Sequence, residues 1–567
     1  MSGRALAVLL VACTPPSDDG GDTQDDTRVA ETADTDPVID TDPPSDSVPD
    51  DTAPPGSLRV EVGPERTCAA TSGPMRLLDG GQAWRDQPHD PDSTALFVGG
   101  GFGVGDLTGD GRLDLIVTRR GPDVQLWVQE GPVDAPVFVD RSGDLPPLPE
   151  RTAGVSLVDL DDDGDLDAFV TAFQGPDTLL RNDGSGRFED ATAAYGLAGP
   201  PQGRSMGSAW ADWDRDGDLD VFVGTYGALS SDQGLPDGDP DRLFVQGADT
   251  TFADVVPYLP DASVIHPLKL GHTFGGAWTD VDGDGWLELF VVNDFGWRVP
   301  TLLLRNVEGR LQLPVPEGLE SNAENMGLAL GDVDGDGIVD FLVTAWDVVR
   351  LYASDDGGPG WSDVGKARGL RPDWDRGQRV AWAADLGDAD NDGDLDAVIA
   401  FGHLQVRSNH ENPLAQPDAL FLQGDDGTFT DVAPDWGVDD AGRGRGALWV
   451  DLDRDGMLDL VRTDLRGPTR IHLGTCTAGA WLEVELHQPA PNVHAVGARL
   501  RFVAGERSWV REVRAGGTGY GTSGPPEVHV GLGAVDRLDR LEITWPDGRE
   551  DVLQDLEVRR RVRVERR

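Results

Sequence analysis

Residues 159–167 read Asp-Leu-Asp-Asp-Asp-Gly-Asp-Leu-Asp, and this nine-residue pattern decides the fold. Its side-chain oxygens lie at positions 1, 3, 5 and 9, and the glycine at position 6 permits a sharp turn. Several oxygens at this spacing suit a hard cation such as Ca²⁺, with the main-chain carbonyl of position 7 as a further ligand. The flanking residues, Val155–Val158 and Ala168–Phe173, are strand-like, so the loop is predicted to join two β-strands.

The pattern occurs seven times, at intervals of 52 to 68 residues. A recurrence of this length is typical of propellers, solenoids and arrays. We number the copies loop 1 to loop 7, spanning residues 106–114, 159–167, 212–220, 280–288, 332–340, 388–396 and 451–459.

The candidate metal ligands are the residues at positions 1, 3, 5, 7 and 9 of each loop, with position 7 acting through its carbonyl. They are Asp106, Thr108, Asp110, Arg112 and Asp114; Asp159, Asp161, Asp163, Asp165 and Asp167; Asp212, Asp214, Asp216, Asp218 and Asp220; Asp280, Asp282, Asp284, Trp286 and Glu288; Asp332, Asp334, Asp336, Ile338 and Asp340; Asp388, Asp390, Asp392, Asp394 and Asp396; and Asp451, Asp453, Asp455, Met457 and Asp459. Up to seven Ca²⁺ ions are expected.

The loop sequences allow two other interpretations. An EF-hand needs a glutamate at position 12 and a helix on each side, whereas position 12 is valine, isoleucine or arginine here and the flanks are strand-like. The loops could also be plain hairpin turns, because aspartate and glycine are common turn residues. Seven copies with matched oxygen spacing favour the metal site.

Each repeat has a second half with two further strands joined by a glycine-rich turn, as in Leu179–Asp190 and Leu420–Asp431. Four strands in each of seven repeats predict an all-β fold, a seven-bladed β-propeller followed by a small β-sandwich or barrel domain. The seventh repeat stops after Leu473, and the missing half is found at Leu77–Asp86. The N-terminal segment is therefore predicted to complete the last blade. Four tryptophans before the loops are predicted to be core residues: Trp210, Trp278, Trp382 and Trp449.

The N-terminal region indicates export. Residues 1–13 combine Arg4, an apolar run and Cys13 in a pattern typical of a lipoprotein signal, with an ordinary apolar N-terminus as the alternative. Residues 14–56 are mostly Asp, Thr, Pro, Ser and Gly, which predicts a solvated tether. The predicted domains are then the signal (1–13), the tether (14–56), the propeller (57–476) and a β-domain (477–567).

The charge and the cysteines restrict the partners and the compartment. A net charge of −55 argues against nucleic acid as a partner, because the phosphate backbone is itself anionic. Of the three cysteines, Cys13 is the expected lipidation site, which leaves Cys68 and Cys476 as one disulfide pair for an oxidising compartment. The two lie on either side of the predicted seam of the propeller.

The repeats resemble FG-GAP (VCBS) repeats, which are known from integrin α-subunits and bacterial surface proteins. The end of the chain resembles the ASPIC/UnbV domain of cartilage acidic protein relatives, through Trp481–Val484, Asn492–Arg499, Gly519–Tyr520, His529–Gly533 and Trp545–Gly548. This resemblance implies Ca²⁺ in the Asp loops. Thr108 and Glu288 depart from the pattern, and loop 1, which has one carboxylate fewer, is predicted to be the weakest site.

The sequence favours a binding function over catalysis. It contains no HExxH, GxSxG or P-loop motif. The expected protein is exported, anchored at the outer membrane or cell surface by lipid alone, and binds a protein or polysaccharide there. The alternatives are an extracellular enzyme with its site at the propeller mouth and a purely structural surface protein. The insertions at Tyr226–Asp241 and Phe401–Asp418 and the arginine-rich end, from Arg559, are either functional features or surface decoration.

Overall fold

The computed structural model describes residues 58–66, 75–78, 99–118, 124–227, 238–258, 267–313, 318–319, 321–354, 360–370, 379–404, 414–465 and 467–567. These residues form mainly antiparallel strands, which confirms the all-β prediction. The helices are short: Thr192–Tyr195, Ala433–Trp436 and residues 267–270, with 3-10 turns at Ser142–Asp144 and Val256–Tyr258. No helix in the described part of the chain is long and apolar enough to cross a membrane.

Seven antiparallel sheets of four main strands each make up the repeat body, and each Asp loop joins the first two strands of its sheet. We call them sheet 1 to sheet 7. Their strands are Phe102–Gly105, Asp114–Val117, Gln125–Gln129 and Phe138–Asp140; Arg151–Val158, Asp167–Gln174, Thr178–Asn182 and Phe188–Asp190; Ser205–Ala211, Asp220–Thr225, Arg242–Gln246 and Phe252–Asp254; His272–Thr279, Glu288–Asp294, Leu302–Asn306 and Leu311–Gln312; Asn325–Gly331, Asp340–Ala345, Val348–Ser354 and Trp361–Asp363; Ala381–Gly387, Asp396–Phe401, Ala419–Gln423 and Phe429–Asp431; and Gly444–Val450, Asp459–Asp464, Arg470–Leu473 and Arg76–Leu77. A two-stranded pair, Gln416–Pro417 with Ala441–Gly442, lies beside them.

A threonine at position 13 of four of the seven repeats joins neighbouring sheets. The hydroxyl of Thr118 donates to the Ala153 carbonyl of sheet 2 at 2.9 Å. Thr171 in sheet 2 and Thr344 in sheet 5 bond in the same way to the first strand of the next sheet. Thr463 of sheet 7 donates to the Gly100 carbonyl, beside the first strand of sheet 1. The last sheet is thus joined to the first by the same bond that joins sheets 1 and 2, 2 and 3, and 5 and 6. The other neighbouring sheets are joined by contacts between their first strands, and the sheets form a closed ring.

The first strands of neighbouring sheets approach closely near the centre of this ring. A Cβ atom at Gly154 would lie 2.7 Å from the Met206 carbonyl oxygen, so this position requires glycine. Further out, apolar side chains of neighbouring sheets pack together. The four predicted core tryptophans are confirmed as buried: Trp210, Trp278, Trp382 and Trp449.

The chain start and the last repeat meet in sheet 7. Arg76 pairs with Leu473 and Leu77 with His472, so this N-terminal strand is the outermost of the sheet. The strand consists of Arg76–Leu77 and begins one residue before the predicted segment, Leu77–Asp86, most of which lies outside the described residues. Cys476 is disulfide-bonded. Cys68 lies outside the described residues, so the pairing of the two stays a prediction.

Two further four-stranded sheets share one hydrophobic core and form the C-terminal domain. Sheet 8 contains Arg59–Val62, Arg560–Glu565, Ala480–His487 and Glu527–Gly533, and sheet 9 contains Arg507–Glu512, Arg499–Ala504, Arg537–Thr544 and Glu550–Glu557. Arg59–Val62 was predicted to belong to the propeller, and that boundary was wrong. Its alternating Val60 and Val62 pair with Val564 and Val562, so the strand extends the C-terminal domain.

A glycine-rich segment of the C-terminal domain lies among the first strands of the repeat sheets. Ala515–Gly516 pairs with the first strand of sheet 3, Thr522–Ser523 pairs in parallel with that of sheet 1, and Gly519 bridges to Leu328 of sheet 5. Tyr520, only 3% exposed, packs its ring 5.2 Å from Trp382. This segment therefore occupies the centre of the ring and joins the C-terminal domain to the repeat body.

Candidate metal-binding loops

The seven loops share one hydrogen-bonded geometry. In every loop the amide of the position-6 glycine donates to the position-1 carboxylate, at 2.8 to 3.1 Å. The amide of position 7 donates to the position-5 carboxylate at 2.7 to 3.0 Å, which turns the chain back on itself. The spacing seen in the sequence thus produces one defined loop conformation in which the carboxylates converge.

The carboxylate at position 9 fixes the loop to its sheet. One of its oxygens accepts a hydrogen bond from a backbone amide at or just after the end of the third strand in all seven sheets, at 2.7 to 3.2 Å. In six loops the other oxygen accepts from the position-2 amide. Glu288 makes both bonds in loop 4, so this departure from the pattern preserves the geometry. Each accepting oxygen keeps a second lone pair for a further partner.

The carboxylates come close enough to share a cation. In each group, one oxygen from each of three residues lies within 4.8 Å of the other two. The groups include Asp159, Asp161 and Asp163; Asp212, Asp214 and Asp220; Asp280, Asp282 and Glu288; Asp332, Asp334 and Asp336; and Asp388, Asp390 and Asp396. The structure therefore brings together predicted ligands in loops 2 to 6.

Several of these oxygens are buried and have no hydrogen-bond partner. They belong to three loops: Oδ1 of Asp159 and Asp161 in loop 2, Oδ1 of Asp212 and Asp214 and Oδ2 of Asp220 in loop 3, and Oδ1 of Asp453 in loop 7. A buried carboxylate oxygen without a partner is costly, and a coordinated cation removes that cost. The residues present therefore fit a metal that prefers oxygen ligands.

Burial and mutual repulsion raise the pKa values of these carboxyl groups. In loop 3, burial first and then repulsion from neighbouring carboxylates raise the pKa of Asp212 to about 7 and that of Asp214 to about 6. In loop 6 the same causes raise the pKa of Asp388 to about 8 and that of Asp390 to about 6. Ionised together, these groups need compensating positive charge nearby.

Loop 1 differs in its partners. The guanidinium of Arg112, at position 7, forms an ion pair with the position-5 carboxylate of Asp110. Thr108, at position 3, donates its hydroxyl to Asp114 Oδ2 at 3.3 Å. Among the described residues, no carboxylate oxygen of this loop is both buried and without a partner. Loop 1 differs in this respect from loops 2, 3 and 7, each of which has at least one such oxygen.

Sequence reasoning missed side chains that connect three of the loops to the next sheet. The amide group of Asn182 donates to the Leu107 carbonyl of loop 1 at 2.9 Å. Asn306 reaches the Trp213 carbonyl of loop 3 at 2.7 Å, and Gln423 the Val333 carbonyl of loop 5 at 3.0 Å. These carbonyls all belong to position 2. The signal in the sequence was the asparagine or glutamine that ends the third strand, together with the threonine at position 13.

The remaining predicted features have different outcomes. Cys13 lies outside the described residues, as do the central parts of both insertions, so these predictions stand as they were. At the arginine-rich end, Arg561 pairs with Glu483 and Glu527 at 3.0 and 2.8 Å, and Arg566 pairs with Asp547 at 2.9 Å. These arginines are therefore engaged within the C-terminal domain.

The fold and the loops define a class of protein. Residues 106–170, 159–223 and 280–343 match the FG-GAP-like repeat family, and residues 488–567 match the ASPIC and UnbV family. The chain is an all-β repeat protein that carries FG-GAP-like repeats and a C-terminal ASPIC and UnbV domain.

The chain is similar in sequence to an animal protein, cartilage acidic protein 1. The chain is 26% identical to cartilage acidic protein 1 of Mus musculus over 498 residues, which cover 82% of this chain and 72% of that protein. It is also 26% identical to cartilage acidic protein 1 of Homo sapiens over 496 residues, which cover 82% and 71%.

Two solved structures show weaker likeness. A crystal structure of BBS1N in complex with ARL6DN has a TM-score of 0.40 at 13% identity and covers 68% of this chain and 96% of that one. The exotype rhamnogalacturonan lyase YesX has a TM-score of 0.36 at 12% identity and covers 72% and 75%. Likeness at this level carries no conclusion about activity.

Proposed function

We propose that the Asp loops bind Ca²⁺ and that the protein is a calcium-stabilised, non-catalytic binding module at a cell surface. The FG-GAP-like repeats and the similarity to cartilage acidic protein 1 indicate a surface or extracellular, adhesion-like module. The finer proposal rests on one observation, which is the set of buried, unpartnered carboxylate oxygens at position 3 of loops 2, 3 and 7 and at position 1 of loops 2 and 3.

The donor chemistry supports calcium over other metals. The side-chain donors at positions 1, 3, 5 and 9 are carboxylates in every loop, apart from Thr108. Hard oxygen donors without sulfur or imidazole suit Ca²⁺, Mg²⁺ or Mn²⁺, and six or more flexible ligands favour Ca²⁺ over the smaller, strictly octahedral Mg²⁺.

The residues of the chain perform three tasks around the ion. Positions 1, 3 and 5 present oxygens, position 9 fixes the loop to the third strand, and the backbone amides of positions 6 and 7 orient the carboxylates. Bound calcium would supply the positive charge that the converging carboxylates require. The ions would thus stabilise the repeat body on which a partner-binding surface is built.

The first experiment is a calcium titration of the full chain, freed of metal by a chelator and followed by calorimetry. We expect Ca²⁺ to bind with several equivalents and Mg²⁺ at equal concentration to bind more weakly. Replacing positions 1 and 3 of loop 3 with asparagine (Asp212→Asn with Asp214→Asn) should remove about one equivalent. Absence of calcium binding by the wild-type chain would refute the proposal.

The partner proposed is a protein or polysaccharide at the cell surface, and the anchor proposed is lipid on Cys13. Binding to arrays of glycans and surface proteins, with Ca²⁺ and with chelator, tests the first part, and loss of every signal in chelator is expected. Labelled fatty acid tests the second. It should enter the wild-type protein but not the Cys13→Ser variant, and equal labelling would contradict the anchor.

A further inference from the structure

The C-terminal domain is docked on the metal loops themselves. In loops 5, 6 and 7 the carbonyl of the position-6 glycine accepts a hydrogen bond from a side chain of this domain. Arg499 donates to Gly337 in loop 5, Trp509 Nε1 to Gly393 in loop 6 at 2.7 Å, and His529 Nε2 to Gly456 in loop 7 at 3.1 Å. Three different donors thus serve one position of the repeat.

The peptide group held in this way is the one that orients a metal-ligand carboxylate. Its carbonyl belongs to position 6, and its N–H belongs to position 7. In loop 6 that N–H, on Asp394, donates to Asp392 Oδ1 at 2.9 Å, and in loop 7 that of Met457 donates to Asp455 Oδ1 at 2.8 Å. Because a peptide group is rigid, fixing its oxygen also fixes the direction of the N–H that holds the position-5 carboxylate.

Charge and close packing strengthen the contact at loop 7. Arg454, at position 4, forms buried ion pairs with Glu483 and Glu527 of sheet 8. A Cβ atom at Gly456 would lie 1.8 Å from the Trp481 ring, so the glycine is required by the docked domain as well as by the turn. Displacing one partner of such a buried ion pair strongly destabilises the folded protein, because the other charge stays buried without compensation.

Loop 6 is packed as closely. A Cβ atom at Gly531 would lie 1.9 Å from Asp388 Oδ2, the oxygen of position 1 that accepts the Gly393 amide. The Gly533 amide donates to the Asn391 carbonyl at position 4, at 3.0 Å. Backbone of sheet 8 therefore lies directly against the metal-ligand side of this loop.

Loops 2 and 3 also lie next to the C-terminal domain. In loop 2, the ring of His494 of the C-terminal domain faces the Gly164 carbonyl at position 6, and its Nε2 lies 3.7 Å from Asp159 Oδ2. In loop 3, Pro491 lies next to Gly217, and no hydrogen bond from the domain to the Gly217 carbonyl is present among the described residues. Loop 3 is therefore an internal reference for the effect of docking.

We infer that Arg499, Trp509 and His529 of the C-terminal domain are positioning residues that set the calcium affinity of loops 5, 6 and 7, and that calcium in these loops in turn holds the domain in place. The inference rests on the proposed calcium binding. Because binding energies are reciprocal, whatever docking adds to calcium affinity, calcium adds equally to docking. The C-terminal domain is thereby the partner of the side of the repeat body that carries loops 5, 6 and 7.

The test measures the calcium response of each loop separately. Hydrogen exchange is followed by mass spectrometry on the full chain across a calcium titration. For the peptide that covers each loop, it gives a midpoint, which is the calcium concentration at which the change in exchange is half complete. In Trp509→Phe, which keeps a ring but removes the N–H, the midpoint of loop 6 should rise about fivefold, as the loss of one hydrogen bond predicts. The midpoint of loop 3 should not change. His529→Phe, which keeps a ring next to Trp481, should shift loop 7 in the same way.

The matched control is Trp545→Phe. It removes an indole donor from the same domain, the bond to Asp551 at 2.9 Å, and among the described residues this pair forms no hydrogen bond with an Asp loop. All loop midpoints should stay at the wild-type values. In the wild-type chain, removing calcium should also speed exchange over residues 507–512 and 527–533.

The outcomes separate this inference from the proposed function. If loops 6 and 7 of the wild-type chain titrate with calcium but Trp509→Phe leaves the midpoint of loop 6 unchanged and His529→Phe leaves that of loop 7 unchanged, the positioning role is wrong and calcium binding stands. If Trp545→Phe shifts loop 6 as much as Trp509→Phe does, the effect is general destabilisation and the inference is again refuted. If no loop responds to calcium, both fail.

Discussion

Loop 1 and loop 3 have the same spacing but different means of balancing their charges. In loop 3 three buried carboxylate oxygens have no partner, and Asp212 and Asp214 have raised pKa values. In loop 1 the threonine at position 3 removes one carboxylate, and Arg112 at position 7 pairs with another. Both loops nevertheless fold into the same turn, with the same bonds from position 6 to position 1.

The nine-residue pattern therefore encodes two separable properties. The turn and its attachment to the sheet depend on the glycine at position 6 and the carboxylate at position 9, which both loops retain. The need for a cation depends on positions 3 and 7, at which the loops differ. We therefore expect loop 3 to bind calcium well before loop 1 does.

The largest effect expected is that of removing calcium from the whole chain. Each occupied site stabilises the fold by about 2.7 kcal/mol when calcium is at one hundred times its dissociation constant, and several sites act together. Thermal unfolding should thus occur at a clearly higher temperature with excess Ca²⁺ than with chelator. An unchanged midpoint would contradict calcium binding by any loop.

A matched pair of substitutions tests the difference between the two loops. Asp212→Asn removes a ligand from loop 3 and should reduce calcium stabilisation by up to about 2.7 kcal/mol, because asparagine keeps the acceptor for the Gly217 amide but not the charge. Asp106→Asn is the same change in loop 1 and should reduce it by much less. Denaturant unfolding with and without calcium measures both. Equal losses would mean that the two loops do not differ.

The converse experiment gives loop 1 the residues of loop 3. Thr108→Asp with Arg112→Asp restores the missing carboxylate and removes the competing guanidinium. We expect the calcium affinity of loop 1 to rise about tenfold, which is worth about 1.4 kcal/mol. Hydrogen exchange over residues 106–117 across a calcium titration detects the shift. Thr108→Ser serves as the control, and an unchanged midpoint in the double variant would show that another feature weakens the loop.

The smallest expected effect is that of the hydrogen bond between sheet 7 and sheet 1, the sheet whose loop is expected to bind metal weakly. Thr463→Val removes the hydroxyl bond from sheet 7 to Gly100 and should cost about 1 kcal/mol, equally with and without calcium. Thr171→Val removes the corresponding bond between sheets 2 and 3 and should cost a similar amount. If the cost of Thr463→Val disappears in excess calcium, the ring bonds and the metal sites are not independent.

The sequence predicted the repeated parts of the structure well because one pattern was present seven times. Strands on both sides of each loop, the convergence of carboxylates in loops 2 to 6, and the burial of Trp210 and its equivalents all follow from local spacing and polarity. The difference between loop 1 and the other loops was also predictable in part, since the sequence has Thr108 where the other loops have an aspartate.

The parts that escaped prediction depend on contacts between distant residues. Nothing local shows that Arg59–Val62 pairs with Arg560–Glu565, or that Ala515–Gly516 and Thr522–Ser523 enter the ring. These strand pairings are set by tertiary packing, which a repeat pattern does not encode.

The pairing of Arg112 with Asp110 is a local feature that was missed for another reason. The arginine at position 7 was interpreted only as a carbonyl ligand, and its side chain was left out of the charge balance of the loop.

The most direct test of the central claim is a crystal structure of the calcium-loaded chain with anomalous scattering data. The account predicts strong calcium peaks in loops 2 and 3, with the ion of loop 3 about 2.3–2.6 Å from Oδ1 of Asp212 and Oδ1 of Asp214, and a weaker peak or none in loop 1. Calcium in loop 1 at full occupancy with loop 3 empty would contradict it, as would the absence of calcium from every loop.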